Sequence, residues 1–301
     1  MSIIERAGRH LDSKAPKSLV EQAADRLAET DQGAKIPHNA PAAKTEMPAL
    51  PAQKNGRQVT IDFDRLRSMG LVLPGAQSHL AEEIRLIKQP LLNTALSEKE
   101  TSLEHRNVIM VTSAGPNEGK TFVAVNLALS LTSEHGIHVL LIDADVVRPS
   151  IPTLLGFKAE AGINDALADP SIDFSDVVLR TNIENLTIIP SGHPRPGMTE
   201  LLASKRMADF VNDVSQRYAD RIVIFDSPPV LARSEPIVLT RHVGQVVFVV
   251  EAERTSRTAI DEAIGLIGRE KIAGVVLNKA PFVIGQEGFG RGYGYNSYYS
   301  R

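Results

Sequence analysis

The stretch that most constrains the fold of this chain runs from Asn107 to Leu131 and reads NVIMVTSAGPNEGKTFVAVNLALSL. Its short apolar run, Val108 to Val111, has the length and β-branched content of a buried strand. A loop of small and turn-forming residues follows, from Thr112 to Gly119, and an apolar segment of helical length begins at Lys120. A strand, a loop ending in Gly-Lys-Thr and a helix, in this order, predict a Walker A phosphate-binding loop.

The residue types of this loop suit a nucleotide. Loop amides and the open first turn of a helix supply N–H donors for phosphate oxygens. Lys120 would reach the β- and γ-phosphates, and the Thr121 hydroxyl would bind Mg²⁺. The usual spacing has glycine at position 114, but Asn117 tolerates a left-handed backbone and keeps the turn feasible. We expect nucleotide contacts from Ala114, Gly115, Pro116, Asn117, Glu118, Gly119, Lys120 and Thr121.

Composition excludes several classes of protein. The net charge of −3 gives no reason to expect nucleic acid as the main partner. The chain has no cysteine, which excludes disulfides and thiolate metal sites. The longest run without a charged residue, Thr121 to Ser133, is too short to span a bilayer, and the charged N-terminus lacks a signal-peptide core. We expect a cytoplasmic protein without a transmembrane segment, which reaches a membrane through a partner.

The chain divides into four predicted parts. Residues 1–30 have the spacing of two short amphipathic helices and form an N-terminal arm. Residues 31–58 contain four prolines among Ala, Lys and Gln and are predicted to be a flexible linker. Residues 59–283 form the folded domain, and residues 284–301 are a tyrosine-rich, disordered tail.

Within the folded domain, strand-like and helical segments alternate. The strand IHVLLIDAD is followed by candidate strands Leu186–Pro190, Arg221–Asp226, Gln245–Glu251 and Ala273–Asn278, with helical patterns at 199–218, 234–241 and 256–269. This alternation predicts an α/β fold of the P-loop NTPase type, with a mainly parallel sheet and helices on both faces. Sheets of this type bind ligands at the carboxyl ends of their strands. Four features of the sequence fall at such ends: the loop 112–121, Asp143, Asp145 and Asp226.

Three aspartates are candidates for metal binding and catalysis beside Lys120. Asp226 ends RIVIFDSPPV and is the natural Walker B carboxylate for Mg²⁺. Asp143 and Asp145 could serve both as Mg²⁺ ligands and as the base for an incoming hydroxyl, and spacing does not say which of them is the base. Arg148 could pair with Asp145 or neutralise phosphate charge. Asn278, at the end of the last strand, is a candidate contact for the base of the nucleotide.

The last residues read GFGRGYGYNSYYSR and contain four of the five tyrosines of the chain, Tyr293, Tyr295, Tyr298 and Tyr299. A Gly/Tyr-rich end is commonly a low-complexity segment without a specific role. Beside a phosphoryl-transfer site, a short linker would instead hold these phenols at high effective concentration near a neighbouring active site.

The segment Ala81 to Leu92 is predicted to be a helix that Pro90 ends or kinks. Glu82, Arg85 and Lys88 recur every three residues along one face of this helix. This face is either simply solvated, with a weak ion pair, or a subunit interface.

Over roughly residues 78–299 the chain resembles the bacterial tyrosine kinases (BY-kinases) of exopolysaccharide and capsule loci. The resemblance rests on SAGPNEGKT, LLIDADVVRPS and IFDSPPV, in this order, and on the terminal tyrosines. MSIIERA and EEIRLIKQPLL are similar to the cytoplasmic tyrosine autokinases of exosortase-linked polysaccharide loci.

The resemblance implies that ATP and Mg²⁺ bind at Ala114–Thr121, Asp143–Arg148 and Asp226–Pro229, and that a tail tyrosine of an adjacent subunit accepts the phosphoryl group. It implies ring-like homo-oligomers held by a helix with the motif Glu-x-x-Arg-x-x-Arg. In this chain the motif positions are Glu82, Arg85 and Lys88. The third position departs from the motif, because lysine lacks the planar fork of arginine. The resemblance also implies a separate membrane activator of the polysaccharide chain-length regulator type, which would place the kinase peripherally at the inner membrane.

The alternative is a partitioning or septum-positioning ATPase of the same superfamily, which would hydrolyse ATP as a dimeric switch. Such relatives usually have a further lysine early in the loop. Residues 112–115 are Thr, Ser, Ala and Gly, so this lysine is absent here.

Overall fold

The computed structural model describes residues 57–97, 103–146, 148–216 and 220–281. The predicted arm (1–30), nearly all of the predicted linker (31–58) and the tail (284–301) with its four tyrosines lie outside these residues, so the divisions remain predictions. The end of the predicted linker differs from the expectation, because Gln58 belongs to the first strand and pairs with Arg180.

The strands form one sheet of the P-loop NTPase type in the order β1-β4-β5-β3-β6-β2-β7-β8. Neighbouring strands are parallel except for the antiparallel pair β4 and β5. The predicted mainly parallel sheet is therefore confirmed. The strands are β1 Gln58–Val59, β2 Val108–Ser113, β3 His138–Asp143, β4 Leu179–Thr181, β5 Leu186–Ile189, β6 Arg221–Asp226, β7 Gln245–Glu251 and β8 Ile272–Asn278.

The helices are α1 Phe63–Ser68, α2 His79–Ala95, α3 Lys120–Leu131, α4 Ile151–Leu155, α5 Ile163–Ala168, α6 Met198–Leu202, α7 Lys205–Gln216, α8 Glu235–Leu239 and α9 Arg257–Ile267. Short 3-10 turns cover Phe174–Val177, Thr240–His242 and Arg269–Lys271. Within the described ranges, none of the helices combines the length and the apolar character that crossing a bilayer requires.

Two hydrophobic cores lie on opposite faces of the sheet, because successive side chains of a strand point to opposite sides. In β2, Val108 and Met110 pack with α5 to α9, whereas Ile109 and Val111 pack with α1 to α4. The same alternation in β3 and β6 places the odd-numbered positions of β3 and the even-numbered positions of β6 on the α3 face. The helices thus cover both faces, as predicted.

Helix α2 excludes one of the two expected effects of Pro90, because the helix does not end there but continues to Ala95. The Ser78 hydroxyl caps its beginning by accepting the N–H of Ala81 at 3.2 Å. A proline inside a helix costs about 3 kcal/mol. Beyond Pro90 the helix buries Leu91, Leu92 and Ala95, and each buried leucine offsets roughly 2 kcal/mol of that cost.

The helix predicted at 199–218 is two helices, α6 and α7, with a break at Ala203 and Ser204. The Ser204 hydroxyl accepts the N–H of Met207 at 3.3 Å and so caps the first turn of α7. Since serine is favoured at caps and unfavourable inside helices, this residue marks a boundary that apolar spacing alone conceals.

Candidate active site

The loop between β2 and α3 forms the predicted turn. Asn117 and Gly119 have positive φ angles of 64° and 93°, and asparagine and glycine are the residues that best tolerate this conformation. Ala114 is buried at the end of β2, and its carbonyl accepts the N–H of Leu231 at 3.2 Å. Alanine is accommodated at position 114 because the left-handed positions of the loop lie further along the chain.

The parallel pairing of β3 and β6 brings two carboxylates side by side. Asp143 and Asp226 are Cα partners in the register of the sheet, and both are fully buried. By the alternation of β3 and β6, they lie on the face that α3 covers. Asp143 accepts backbone N–H groups from Asp145 at 3.2 Å and from Ser150 and Ile151, each at 3.1 Å.

Asp226 differs from Asp143 in its surroundings, because neither of its carboxylate oxygens has a hydrogen-bond partner among the described residues. Burial raises the pKa of both carboxyl groups, since a buried carboxylate loses its hydration. The neighbouring charge of Asp226 raises the pKa of Asp143 further, while the Lys120 ammonium and the nearby Thr121 hydroxyl oppose the rise at Asp226. Two adjoining buried acids are stabilised by protons or by a cation.

Lys120 and Thr121 begin α3 beside these acids. The Lys120 ammonium lies 3.4 Å from Oδ2 of Asp145, which is 5% exposed. The Thr121 hydroxyl is 2.9 Å from the hydroxyl of Ser150. The backbone N–H of Arg148 donates to Oδ1 of Asp145 at 3.0 Å. Asp145 therefore pairs with the side chain of Lys120, and Arg148 contacts it through its backbone N–H.

These residues fit a magnesium ion. The unpartnered oxygens of Asp226, the Asp143 carboxylate and the Thr121 hydroxyl are the hard oxygen ligands that Mg²⁺ prefers. Among the described residues there is no group of three or more His, Cys, Asp or Glu side chains arranged to hold a metal alone. Phosphate oxygens and water would therefore complete the coordination, as is usual for magnesium bound with a nucleotide.

A cavity of about 520 Å³ opens above the loop. Its charged lining residues are three basic side chains and one acidic one, namely Lys120, Arg148, Arg233 and Asp145. Pro116, Asn117, Gly119 and Thr121 also line it. The excess of positive charge and the open end of α3 suit a polyphosphate.

Other predicted nucleotide residues face away from this cavity. Ala114, Gly115 and Glu118 line a second cleft of about 350 Å³, together with Pro116 of the main cavity. Glu118 is 6% exposed, and its Oε1 accepts the Thr255 hydroxyl at 2.6 Å. The Asn278 amide donates to the carbonyl of Glu118 at 2.9 Å, so the structure brings Asn278 to the loop backbone.

The predicted interface residues do not share one exposed face. Glu82 and Arg85 form an exposed ion pair on α2. Lys88 is 3% exposed, and its ammonium lies 2.5 Å from Glu134 and donates to the carbonyl of Ser130 at 3.2 Å. The solvated-face interpretation is thus wrong for Lys88, because its long stem reaches back to the end of α3 of the same chain. The interface role of Glu82, Arg85 and Lys88 remains a prediction.

Sequence reasoning missed several residues around the site. Ser150 contacts both Asp143 and Thr121, and its place after Arg148-Pro149 was the available signal. Arg233 follows the Pro-Pro turn, and its basic side chain could have been linked to the loop after Asp226. Thr255 offers no signal in the sequence, because its contact with Glu118 spans 137 residues.

A family model matches most of the folded part of the chain. This model, of the ParA family and described as NUBPL iron-transfer P-loop NTPase, matches residues 104–290. It covers the loop, the three aspartates and Asn278, and it agrees with the fold described above.

Named relatives specify the family further. The tyrosine-protein kinase YwqD of Bacillus subtilis is 31% identical over 172 residues, which are 56% of this chain and 71% of YwqD. The tyrosine-protein kinase Wzc of Salmonella typhimurium is 28% identical over 79% of this chain, and the match spans only 33% of Wzc. The chain therefore spans about a third of the length of Wzc.

A solved structure agrees with these relatives. The crystal structure of the kinase domain of VpsO superposes with a TM-score of 0.54 at 28% identity, over 68% of this chain and 100% of that domain. From the fold, the loop, the paired aspartates and these similarities we conclude that the chain belongs to the ParA-type P-loop NTPases and, among them, to the family of bacterial tyrosine kinases.

Proposed function

We propose that this chain is an ATP-dependent protein-tyrosine autokinase that phosphorylates Tyr293, Tyr295, Tyr298 and Tyr299 of an adjacent subunit. The observation that supports it best is the pair Asp143 and Asp226, buried side by side with both Asp226 oxygens unpartnered, beside Lys120 on a positively charged cavity. Phosphoryl transfer requires this combination of a phosphate cradle, a cation site and a carboxylate base.

The nucleotide is held by its phosphates. Backbone N–H groups of Asn117, Gly119, Lys120 and Thr121, which line the cavity, donate to the phosphate oxygens at the beginning of α3. Binding draws the Lys120 ammonium from Asp145 to the β- and γ-phosphates. Arg148 and Arg233, on the wall of the same cavity, add positive charge where the transferred group becomes more negative.

Asp143, Asp226 and Thr121 would hold Mg²⁺, and Asp145 is a further predicted ligand. When bound, this ion neutralises charge on the β- and γ-phosphates during transfer.

The reaction joins the phenolic oxygen of a tyrosine to the γ-phosphorus while the bond to the β-phosphate oxygen breaks. ADP leaves with the bonding electron pair, and a carboxylate takes the phenolic proton. A base is useful because an unperturbed tyrosine has a pKa near 10. Two side chains are candidates: Asp145 lies on the cavity wall, and Asp143 lies behind it with a pKa that burial raises.

The tail supplies the acceptors. Its glycines and four tyrosines lie within the last residues of the chain, so a neighbouring active site meets them at high effective concentration. Each phosphate adds about −1.5 to −2 charges, so a fully modified tail gains roughly −6 to −8. This charge weakens contacts between subunits, and the resulting cycle of assembly and release controls exopolysaccharide polymerisation or export.

Partners and location follow from the same proposal. The cytoplasmic segment of a separate membrane activator of the chain-length regulator type completes the active site. It recruits the chain from the cytoplasm to the inner face of the membrane. A ring-like homo-oligomer, with Glu82 and Arg85 exposed on α2 for contacts between subunits, presents each tail to the next active site.

A switch ATPase of the partitioning or septum-positioning type is the second candidate, because the matching family model is of the ParA type. This function would use the same phosphate site with water in place of the tyrosine. The tail tyrosines would then have no part in the reaction.

The test is phosphotyrosine mass spectrometry on the full chain after incubation with ATP, Mg²⁺ and the cytoplasmic segment of the activator. Wild type should carry phosphate on Tyr293–Tyr299, and Lys120→Met should carry none. A Lys205→Met variant, altered at an exposed lysine on α7, is the matched control and should match wild type. Steady ATP hydrolysis with an unmodified tail would instead support the switch ATPase.

A further inference from the structure

The end of β8 contacts the backbone of the phosphate loop through two side chains. The Asn278 amide donates to the carbonyl of Glu118 at 2.9 Å. The ammonium of the next residue, Lys279, donates to the carbonyl of Asn117 at 2.5 Å. Asn278 and Lys279 are consecutive, and they bind two consecutive peptides of the loop. Asn278 lies 160 positions after Glu118 in the sequence.

The contact at Asn278 is close. A Cβ atom placed on Gly119 would lie 2.0 Å from the amide nitrogen of Asn278. Gly119 also has a φ angle of 93°, a backbone conformation that favours glycine, and a side chain there would displace the amide of Asn278. Gly119 precedes Lys120, and a displacement of Asn278 would therefore move the peptide that positions the phosphate-binding lysine.

Lys279 is held in place by more than this hydrogen bond. Its φ angle is 56°, a left-handed conformation that costs a non-glycine residue about 1–2 kcal/mol. Its ammonium also lies 3.4 Å from the carboxylate of Glu251, which is 8% exposed and pairs with Arg254 at 3.2 Å. An unfavourable backbone conformation persists where the surroundings determine it strongly, and such places are commonly functional.

Lys279 lies shortly before the predicted C-terminal tail, residues 284–301. We call residues 279–281 the root of the tail. Ala280 and Pro281 separate Lys279 from residue 282, and two residues span at most about 7 Å. A constraint on the segment that follows therefore reaches Lys279 and, through it, the carbonyl of Asn117.

We infer that Asn278 and Lys279 are positioning residues of the phosphate loop, through which nucleotide binding is coupled to the root of the tyrosine tail. We call the two hydrogen bonds from Asn278 and Lys279 to the carbonyls of Glu118 and Asn117 the clamp. Asn278 acts on the loop backbone through the clamp. Coupling is reciprocal, so bound nucleotide stabilises the clamp to the degree that the clamp stabilises bound nucleotide. The consequence for phosphorylation rests on the proposed function, but the coupling itself requires only that nucleotide binds.

The experiment compares full-length wild type with Lys279→Met, which keeps the aliphatic stem and removes the charge. Lys205→Met, which removes an exposed ammonium paired with Asp209 on α7, is the matched control. Titration calorimetry with ADP and Mg²⁺ should give about 5- to 20-fold weaker binding for Lys279→Met, the effect of one partly exposed, charge-assisted hydrogen bond. The control should match wild type in affinity and in melting temperature.

Hydrogen exchange supplies a readout that a merely structural role would not change. ADP should slow exchange at the backbone amides of Lys279 and Ala280 in wild type and in the control, and this protection should be lost in Lys279→Met. Asn278→Ala tests the same clamp from the neighbouring residue and should also weaken ADP binding. Wild-type affinity in either variant, or protection that persists in Lys279→Met, would overturn the inference whether or not the tail is ever phosphorylated.

Discussion

Replacing Asp226 with asparagine should stabilise the metal-free protein, and the stabilisation should grow with pH. Burial raises the pKa of Asp226 to about 7, from an ordinary value of 3.8. Between these two values the folded state keeps a proton that the unfolded state has lost, so the free energy of unfolding falls as pH rises. Asparagine removes this charge and the part of the fall that Asp226 causes, while the part that the buried Asp143 causes remains.

The magnitude follows from the shift. Three pKa units correspond to about 4 kcal/mol when the pH lies above both values. We expect the advantage of Asp226→Asn over wild type to increase by about 2–4 kcal/mol between pH 4.5 and pH 8. A comparison across pH cancels the pH-independent cost of burying the new amide, which is of the order of 1–3 kcal/mol.

Urea unfolding in the presence of EDTA across this pH range measures the difference. Asp209→Asn removes an exposed carboxylate on α7 and controls for loss of charge. Mg²⁺ with ADP should raise the melting temperature of wild type far more than that of Asp226→Asn. An advantage that stays constant with pH would refute the buried-charge argument, and equal stabilisation by Mg²⁺ and ADP would refute the metal role of Asp226.

Three further substitutions test the account. Gly119→Ala should weaken ADP binding at least about 10-fold in equilibrium dialysis, because alanine combines a left-handed backbone with a clash against Asn278; wild-type affinity would contradict this. Lys88→Met should lower the free energy of unfolding by about 1–2 kcal/mol, since Glu134, whose side chain is 35% exposed, loses its partner but can be rehydrated, and adding Glu134→Gln should recover part of it; no loss in urea unfolding would place Lys88 on the surface. Asp165→Asn should cost about 1–3 kcal/mol at pH 7. Although burial opposes it, hydrogen bonds from Arg195 and other donors lower the pKa of this carboxyl. Its contribution is therefore fully present above the unfolded-state pKa and is lost as pH falls through the folded-state pKa; a cost that does not shrink as the pH is lowered below the unfolded-state pKa would contradict this.

The places of the site residues at the strand ends could be predicted from the sequence because the features that position them are local. Strand ends, the Gly-Lys-Thr turn and the acids after β3 and β6 lie in short stretches whose residue types are restricted by phosphate and metal binding. Parallel strands bring such ends to one edge of a sheet, so the meeting of Asp143 and Asp226 followed from topology.

Contacts between distant parts of the chain escaped prediction. Lys88 looked like a surface residue because its spacing matched Glu82 and Arg85, but it pairs with Glu134 across two helices. Pro90 was expected to end or kink its helix, and the apolar contacts that favour the helix beyond it cannot be weighed without the packing. Lys279 carried no motif, and its bond to Asn117 joins residues 162 positions apart. Periodicity describes one element at a time, whereas these features belong to pairs of elements.

The central claim, transfer of phosphate from one subunit's site to another subunit's tail, is tested by mixing a chain without a working site and a chain without tail tyrosines. One carries Lys120→Met with an intact tail, and the other carries phenylalanine at Tyr293, Tyr295, Tyr298 and Tyr299 with an intact site. Isotope labelling of one chain identifies it by mass. With ATP, Mg²⁺ and the activator segment, we predict phosphotyrosine on the Lys120→Met chain in the mixture and on neither chain alone. An unmodified Lys120→Met tail in that mixture would contradict the proposal.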